Sequence, residues 1–585
     1  MTETIMKNKE LNILIGGPAG SGIEKSGQVL CKSFVKGGYE VFANIEHSSQ
    51  IRGGNNFLRI RVSENPVQCH KEEIDIMIAL DEKTINDHMG EMNDGGAVIF
   101  DGERVKMADE FKQKKLCFVN APLGKMAEDN FQNSIYENVI SIGIVFGLIE
   151  FDLKILKNIL KKIFGNKAAE VISANEKAAE LGYEFAKKMK CDNEILKLVQ
   201  DDRSSKDESK MFLAGNDALC IGAIKAGVKF VGEYPMTPSS SVLHFMAAWA
   251  EKYGVVVKHT EDEIAAVNSI IGAGFAGARA IAATSGGGFA LMSEGIGLAS
   301  MNEVPIVVVN VMRPGPATGL PTRTAQGDLR QVIHAGQDDP VKIVLLPSDP
   351  FECFEYGFLA FNLAEKYQLP VIICYDKYLG ESYYTLPEFK TDDLKIERGK
   401  ILSEKDLKNI ADFKRYEITK DGVSARTLPG TLGGIHRATS DEHNEYGEIC
   451  EEKENRKMMV EKRMRKLETA KKDLPKSEII GDKKADITFV TWCSNKAACL
   501  EACEKLKEKG ASANVLVVKT AWPFLDDDFK KLFSQVARAI LVEQNFDGQM
   551  GGLIHEQTGI KIEEKILKYD GRPITAKDII DNLKP

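Results

Sequence analysis

Tyr234-Pro235-Met236-Thr237-Pro238-Ser239-Ser240, Thr260-Glu261-Asp262-Glu263-Ile264-Ala265-Ala266 and Arg313-Pro314-Gly315-Pro316-Ala317-Thr318-Gly319-Leu320-Pro321-Thr322 follow one another along the chain. Each is a loop signal beside an apolar run. Pro235 and Pro238 fix φ and bias the residues before them to extended backbone. Thr237 is thereby pinned at a strand end, with its hydroxyl and amide presented outward. Residues 239–241 are serines and suit a cap for the helix pattern that follows. Helix starts of this kind receive carboxylates. Glu261, Asp262 and Glu263 precede another apolar helix pattern, where acids suit the helix dipole. The Gly/Ala-rich run over 270–278 has little side-chain bulk, so close packing, a cofactor or a partner can press against it. Thr284-Ser285-Gly286-Gly287-Gly288 reads as a turn from strand to helix with an approachable backbone. Arg313 ends the apolar run Ile306-Val307-Val308-Val309-Asn310-Val311-Met312. Ligands of α/β sheets bind at the carboxyl ends of strands, and a guanidinium grips a carboxylate with two hydrogen bonds.

Working outward, apolar runs at 229–231, 255–258, 279–283, 305–311, 341–346 and 370–374 read as buried strands separated by helical patterns. The same alternation precedes them, with strand-like runs at 11–15, 41–44, 75–79, 97–100 and 116–119, and follows them at 486–492, 513–519 and 539–543. Strand–helix alternation of this kind predicts α/β architecture in several domains. The chain has 585 residues, enough for three or four domains. A polar, charged stretch over 196–210 is the best linker. Residues 391–480 break the alternation: they are charged, then turn-rich, then a dense charged helix pattern over 451–472. They read as a long connection ending in a solvated helix.

Apolar content of 43% and charged content of 28% are those of a globular protein. The net charge of −9 argues against nucleic acid or an anionic membrane surface as partner. The start MTETIMKNKE lacks a secretory pattern, and no apolar run is long enough for a membrane span, so a cytoplasmic location is expected. Eleven cysteines are scattered without Cys-x-x-Cys; buried thiols in a reducing compartment are the expectation. Cys493, Cys499 and Cys503 lack cluster spacing, so no metal site is expected on this chain. Near the N-terminus, Gly17, Gly20 and Gly22 form a Gly-rich loop with neither dinucleotide nor P-loop spacing, since Ile23-Glu24 stand where Lys and Ser/Thr are needed.

The ordered set of motifs resembles the α subunits of 2-oxoacid:ferredoxin oxidoreductases of the fused γ–α type, most like the 2-oxoglutarate enzymes. Ser48-Ser49-Gln50-Ile51-Arg52-Gly53-Gly54 resembles the γ subunit. Residues 234–322 resemble the half of a thiamine-diphosphate enzyme that binds the pyrimidine ring. Ser440-Asp441-Glu442-His443-Asn444-Glu445-Tyr446-Gly447 fits the connection. Trp522-Pro523-Phe524 and residues 542–549 resemble the transketolase C-terminal domain. The resemblance implies a γ-type, Rossmann-like domain over 1–195 and a pyrimidine-binding domain over 211–390. It implies the connection over 391–480 and a transketolase-like domain over 481–585.

Glu263 would then activate the coenzyme ring. It lies nine residues before Gly272, as in the family, with Glu261 the alternative. Thiamine chemistry needs a carboxylate on the ring nitrogen to promote loss of the C2 proton, and partial burial suits it. Thr237, Arg313 and Thr318 would hold the substrate carboxylate. Pro235, Ser285 and Gly286 would line the cofactor, with Gly287 standing where the family has proline. Gly20, Gly22 and Arg52 would suit coenzyme A or another anion. No Gly-Asp-Gly element is present, so the diphosphate, Mg²⁺ and [4Fe–4S] sites are expected on a β subunit, with ferredoxin as electron acceptor. Pyruvate and branched-chain 2-oxoacid ferredoxin oxidoreductases, a transketolase-like thiamine enzyme and a non-catalytic partner protein are the rival readings.

Overall fold

The computed structural model describes residues 10–48, 54–109, 111, 114–189, 191 and 210–584. The expected linker up to residue 209 lies outside these residues, as does Arg52. The chain forms two compact units, Met1–Leu213 with Ser382–Glu388, and Ala214–Glu381 with Phe389–Pro585.

The first unit is built on a sheet of eight strands. Their order is Cys117–Asn120, Met92–Phe100, Ile74–Ala79, Glu10–Pro18, Asn55–Ser63, Glu40–Glu46, Tyr383–Leu386 and Met211–Ala214. The sequence pattern finds the parallel members but not Asn55–Ser63, which runs antiparallel to both Glu10–Pro18 and Glu40–Glu46. Arg59 and Arg61 alternate with Leu58, Ile60 and Val62, so no continuous apolar run marks it. Arg61 is buried because its guanidinium reaches Glu10 (3.0 Å) and the carbonyl of Cys69 (3.0 Å). The helix Ile23–Lys36 follows the Gly-rich loop, with its buried face on this sheet. Not every cysteine is a buried thiol. Cys117 and Cys191 are paired, with Cα atoms 5.8 Å apart, because the edge strand meets the chain leaving the helix Ala169–Lys188. Cys450 and Cys503 are half-buried.

In the second unit a seven-stranded sheet runs Thr520–Trp522, Ile343–Leu345, Pro370–Asp376, Ile306–Met312, Ala280–Thr284, Phe230–Glu233, Val256–His259. The last six are parallel; Ile306–Met312, Ile343–Leu345 and Pro370–Asp376 are Val/Ile-rich and buried throughout because helices cover both faces, whereas the edge strand Val256–His259, expected to be buried, is largely exposed. From Phe230–Glu233 the chain goes outward to Val256–His259, then returns across to Ala280–Thr284. The order therefore reverses between Phe230–Glu233 and Ala280–Thr284, opening a crevice at their carboxyl ends. The third sheet runs Glu478–Ile480, Ala513–Val517, Ile487–Thr491, Ala539–Glu543, Glu564–Leu567.

The charged helix Lys453–Ala470 is not solvated all round. Lys462 and Lys466 are fully buried, with Met459 and Leu467 beside them. The physical reason is Glu303, itself buried, whose two carboxylate oxygens each take one lysine. Glu365 plays the same part for Arg279 (2.8 Å) and Arg426 (3.0 Å). No helix among the described residues is long and apolar enough to cross a membrane.

Candidate active site

Four strand ends meet the crevice of the second unit. Phe230–Glu233 leads to Thr237, and Val256–His259 leads to Glu263. Ala280–Thr284 leads to Ser285, and Ile306–Met312 leads to Arg313.

Asp262 caps the helix Glu263–Phe275 by accepting from the amide of Ala265 (2.7 Å). The cap turns the next residue inward: Glu263 is 3% exposed, whereas Glu261 is exposed. Glu263 Oε1 is buried without a hydrogen-bond partner among the described residues. Burial, aided by the Asp262 charge, pushes its pKa up, while Arg313 pulls the other way. A side chain at Gly288 would put its Cβ 2.3 Å from Glu263 Oε1 and 2.2 Å from Thr284 Oγ1, so this helix start must lack one. Ser285 is buried, and its hydroxyl has no partner among the described residues.

Arg313 Nη1 donates to the carbonyl of Thr237 (2.6 Å), joining two of the three motifs. Thr237 is half-buried. Thr318 is exposed on a loop closed by the amide of Leu320 donating to the carbonyl of Pro314 (3.0 Å). That loop lies over the Gly-rich turn, since Ala317 O is 4.0 Å from the Cβ position of Gly287. The serine cap expected ahead of the helix Ser240–Tyr253 is absent. Ser239 has helical backbone, and its hydroxyl donates to the carbonyl of Met236 (2.7 Å) instead.

Sequence reading missed three polar groups here. Asp328 accepts from Asn310 Nδ2 (3.1 Å), and both its oxygens lie 2.6–2.7 Å from the Cβ position of Gly286. Its signal was disguised as a helix-capping aspartate. Asn310 was legible as the one polar residue in an apolar run. Glu233 ends its strand fully buried, and burial pushes its pKa well above the carboxylate range.

Gly20 and Gly22 belong to the first unit. Both have left-handed backbone (φ 89° and 80°) and line a cavity of about 880 Å³ with Lys25, Asp101, Arg104 and Asn138. Among the described residues no three His, Cys, Asp or Glu side chains converge as metal ligands.

Residues 221–462 match the family model described as pyruvate flavodoxin/ferredoxin oxidoreductase, thiamine diP-bdg. Residues 12–185 match pyruvate ferredoxin/flavodoxin oxidoreductase, and residues 476–561 match transketolase, C-terminal domain. A 2-oxoacid:ferredoxin oxidoreductase subunit alpha of Saccharolobus solfataricus is 33% identical over 620 residues, covering 98% of this chain and 97% of the relative. The chain belongs to the 2-oxoacid:ferredoxin oxidoreductase α-subunit family. A 2-oxoglutarate synthase subunit KorA of Methanocaldococcus jannaschii is 34% identical over 61% of this chain and 93% of its own length. Among solved structures, 2-oxoglutarate:ferredoxin oxidoreductase from Magnetococcus marinus, with 2-oxoglutarate, coenzyme A and succinyl-CoA bound, superposes with a TM-score of 0.91. It is 31% identical, covering 98% of this chain and 99% of that one. The architecture is thus that of the family: mixed α/β sheets carrying an oxidoreductase segment, a thiamine-diphosphate-binding segment and a transketolase C-terminal segment.

The residues present fit the ring end of thiamine diphosphate. A buried carboxyl oxygen without a partner faces a helix start that has no side chains, which is the environment a ring nitrogen could complete.

Proposed function

We propose that this α subunit works with a β subunit in converting 2-oxoglutarate, coenzyme A and two oxidised ferredoxins to succinyl-CoA, carbon dioxide, two reduced ferredoxins and a proton. The observation that carries the reading is the Glu263 carboxyl, buried with Oε1 unpartnered and Arg313 in electrostatic reach. Thiamine diphosphate, when bound, supplies the carbon nucleophile that this chemistry needs. Glu263 would hydrogen-bond the ring nitrogen and hold a proton there, for which its raised pKa is suited. Arg313, Thr237 and Thr318 would orient the 2-oxoacid carboxylate; Pro235, Ser285 and Gly286 would shape the ring's seat. Diphosphate, Mg²⁺ and the [4Fe–4S] cluster would be held by the β subunit. The Gly20–Gly22 loop, with Arg52, would receive a phosphate of coenzyme A. The domain limits given by the sequence, and a cytoplasmic location, belong to the same reading.

The preference for 2-oxoglutarate is supported by the KorA relative and by the solved neighbour that carries this acid. The test is viologen reduction by the complex with its β subunit, over a panel of 2-oxoglutarate, pyruvate and branched-chain 2-oxoacids. The highest kcat/KM is expected for 2-oxoglutarate. Glu263→Gln should lower kcat by about a hundredfold or more while leaving the complex assembled. Absence of 2-oxoacid-dependent dye reduction would reject the assignment.

A further inference from the structure

We propose that Asp328 is a positioning residue: it holds the Arg313 guanidinium away from Glu263, leaving the Glu263 carboxyl open to the coenzyme ring. The proposal rests on the role given to Glu263 above.

Two carboxylates press on the same helix start. Asp328 lies against Gly286, and Glu263 lies against Gly288. Arg313 is in electrostatic reach of both, and Asp328 acts on it more strongly than Glu263. It gives Nη1 to the Thr237 carbonyl rather than to either acid. A guanidinium near a single half-desolvated carboxylate closes onto it with paired hydrogen bonds. Such a pair would satisfy Glu263 Oε1 and drive its pKa down. A second acid within electrostatic reach of the same guanidinium weakens that preference.

The bland role for Asp328 is the cap of the helix Leu329–His334. Its side chain makes no capping bond there and turns to Asn310 instead. Asn310 sits in the core of the strand Ile306–Met312, so the carboxylate is held from a rigid element. The charged and titratable neighbours are few. Asp262 and Arg313 act on Glu263. Arg313 acts on Asp328, and burial raises the Cys374 thiol on the adjacent strand, with Asp328 and Asp376 adding to it.

The experiment is Asp328→Asn in the complex with the β subunit, read in two ways. In steady state, KM for the 2-oxoacid should rise, because Arg313, drawn onto Glu263, no longer grips the substrate carboxylate. At the same time kcat should fall and the acid limb of its pH profile should move down. Independently of turnover, infrared titration of the α chain follows the protonated carboxyl band that Glu263→Gln removes. Its midpoint should drop by about one pH unit in Asp328→Asn, about tenfold in the ionisation constant. In an Arg313→Gln background the same substitution should move the midpoint much less, since only the direct Asp328–Glu263 repulsion remains. Asp328→Ser serves if the asparagine variant does not fold. An unmoved midpoint, or an equal shift with and without Arg313, overturns the proposal. Absence of 2-oxoacid turnover in the unaltered complex would reject the proposed function, while the titration would still report on Asp328.

Discussion

Glu303→Gln should unfold the second unit far more easily, although Glu303 belongs to none of the motifs of the site. Its oxygens hold Lys462 and Lys466, and all three side chains are wholly buried. Arg415 adds a third cation, giving its Nη2 to the Glu303 carbonyl (3.1 Å). Together these cations hold the Glu303 carboxyl well below the carboxylate range. A buried pair is weak evidence of net stabilisation, because desolvation offsets attraction. Removing one partner is different: it strands charge in the interior at about 3–5 kcal/mol. Here one substitution strands two ammonium groups, so the upper end of that range applies. The expected drop in the unfolding temperature is about 5 °C or more for a unit of this size. The pH dependence has a definite sign. Glu303 has a lowered folded pKa, so its contribution is complete above its ordinary value near 4.5 and is lost only as pH falls below it. In the variant the penalty comes from protonated lysines. Burial already pushes Lys466 down to about 7, and without Glu303 it falls further, so raising the pH towards 10 should relieve part of the defect. The assay is thermal unfolding by circular dichroism from pH 6 to 10. A variant that melts with the parent at pH 7, or whose deficit does not shrink at high pH, would refute the reasoning.

Gly288→Ala should abolish most turnover, because its Cβ would meet Glu263 Oε1 and Thr284 Oγ1 at under 2.5 Å; thiamine diphosphate affinity by fluorescence titration of the complex checks that the ring seat is what failed. Arg313→Gln should raise KM for the 2-oxoacid by about tenfold to a hundredfold, the worth of a charge-assisted hydrogen-bond pair, measured by initial rates. Glu263→Gln, besides losing activity, should stabilise the chain at neutral pH. A raised carboxyl pKa means that folded-state stability falls as pH rises through it, and glutamine removes that loss, which a melt at pH 5 and pH 8 would show.

The parallel strands were legible because full burial on both faces writes continuous apolar runs, as in Ile306-Val307-Val308-Val309. Glu263 was singled out from Glu261 by the family interval to Gly272, and the structure puts it inside while leaving Glu261 out; the Asp262 cap that turns it inward was not read from the sequence. What stayed hidden shares one cause: a charge whose partner is far away along the chain. Asn55–Ser63 was missed because Arg61 looks like a surface residue until Glu10 is seen beside it. The helix Lys453–Ala470 reads as solvated because nothing local reveals Glu303 some 160 residues earlier, at a loop between helix and strand. Asp328 was masked by a plausible local role, since an aspartate before an apolar helix is ordinarily its cap. Composition and periodicity report on burial of apolar groups; they carry no information on which acid a buried cation will meet.

The loop that bears Arg313, Thr318 and Asp328 raises a question of rigidity, because much of it is exposed. Its far end is fixed by Gln326, two residues before Asp328. Gln326 donates to Asp376 (3.0 Å) and accepts from Asn495 (2.9 Å) and from the amide of Gln544 (3.1 Å), while its carbonyl accepts from Asn545 (3.0 Å). Asn495, Gln544 and Asn545 all belong to the C-terminal α/β layer. That layer is itself joined to the site's sheet, because Thr520–Trp522 pairs antiparallel with Ile343–Leu345. Each polar group of Gln326 is buried and satisfied, so moving it would strand several partners at once. The transketolase-like segment therefore braces the loop that carries the candidate site residues. It clamps one end of the loop, as the Thr237 carbonyl clamps the other through Arg313, while Thr318 between them stays exposed.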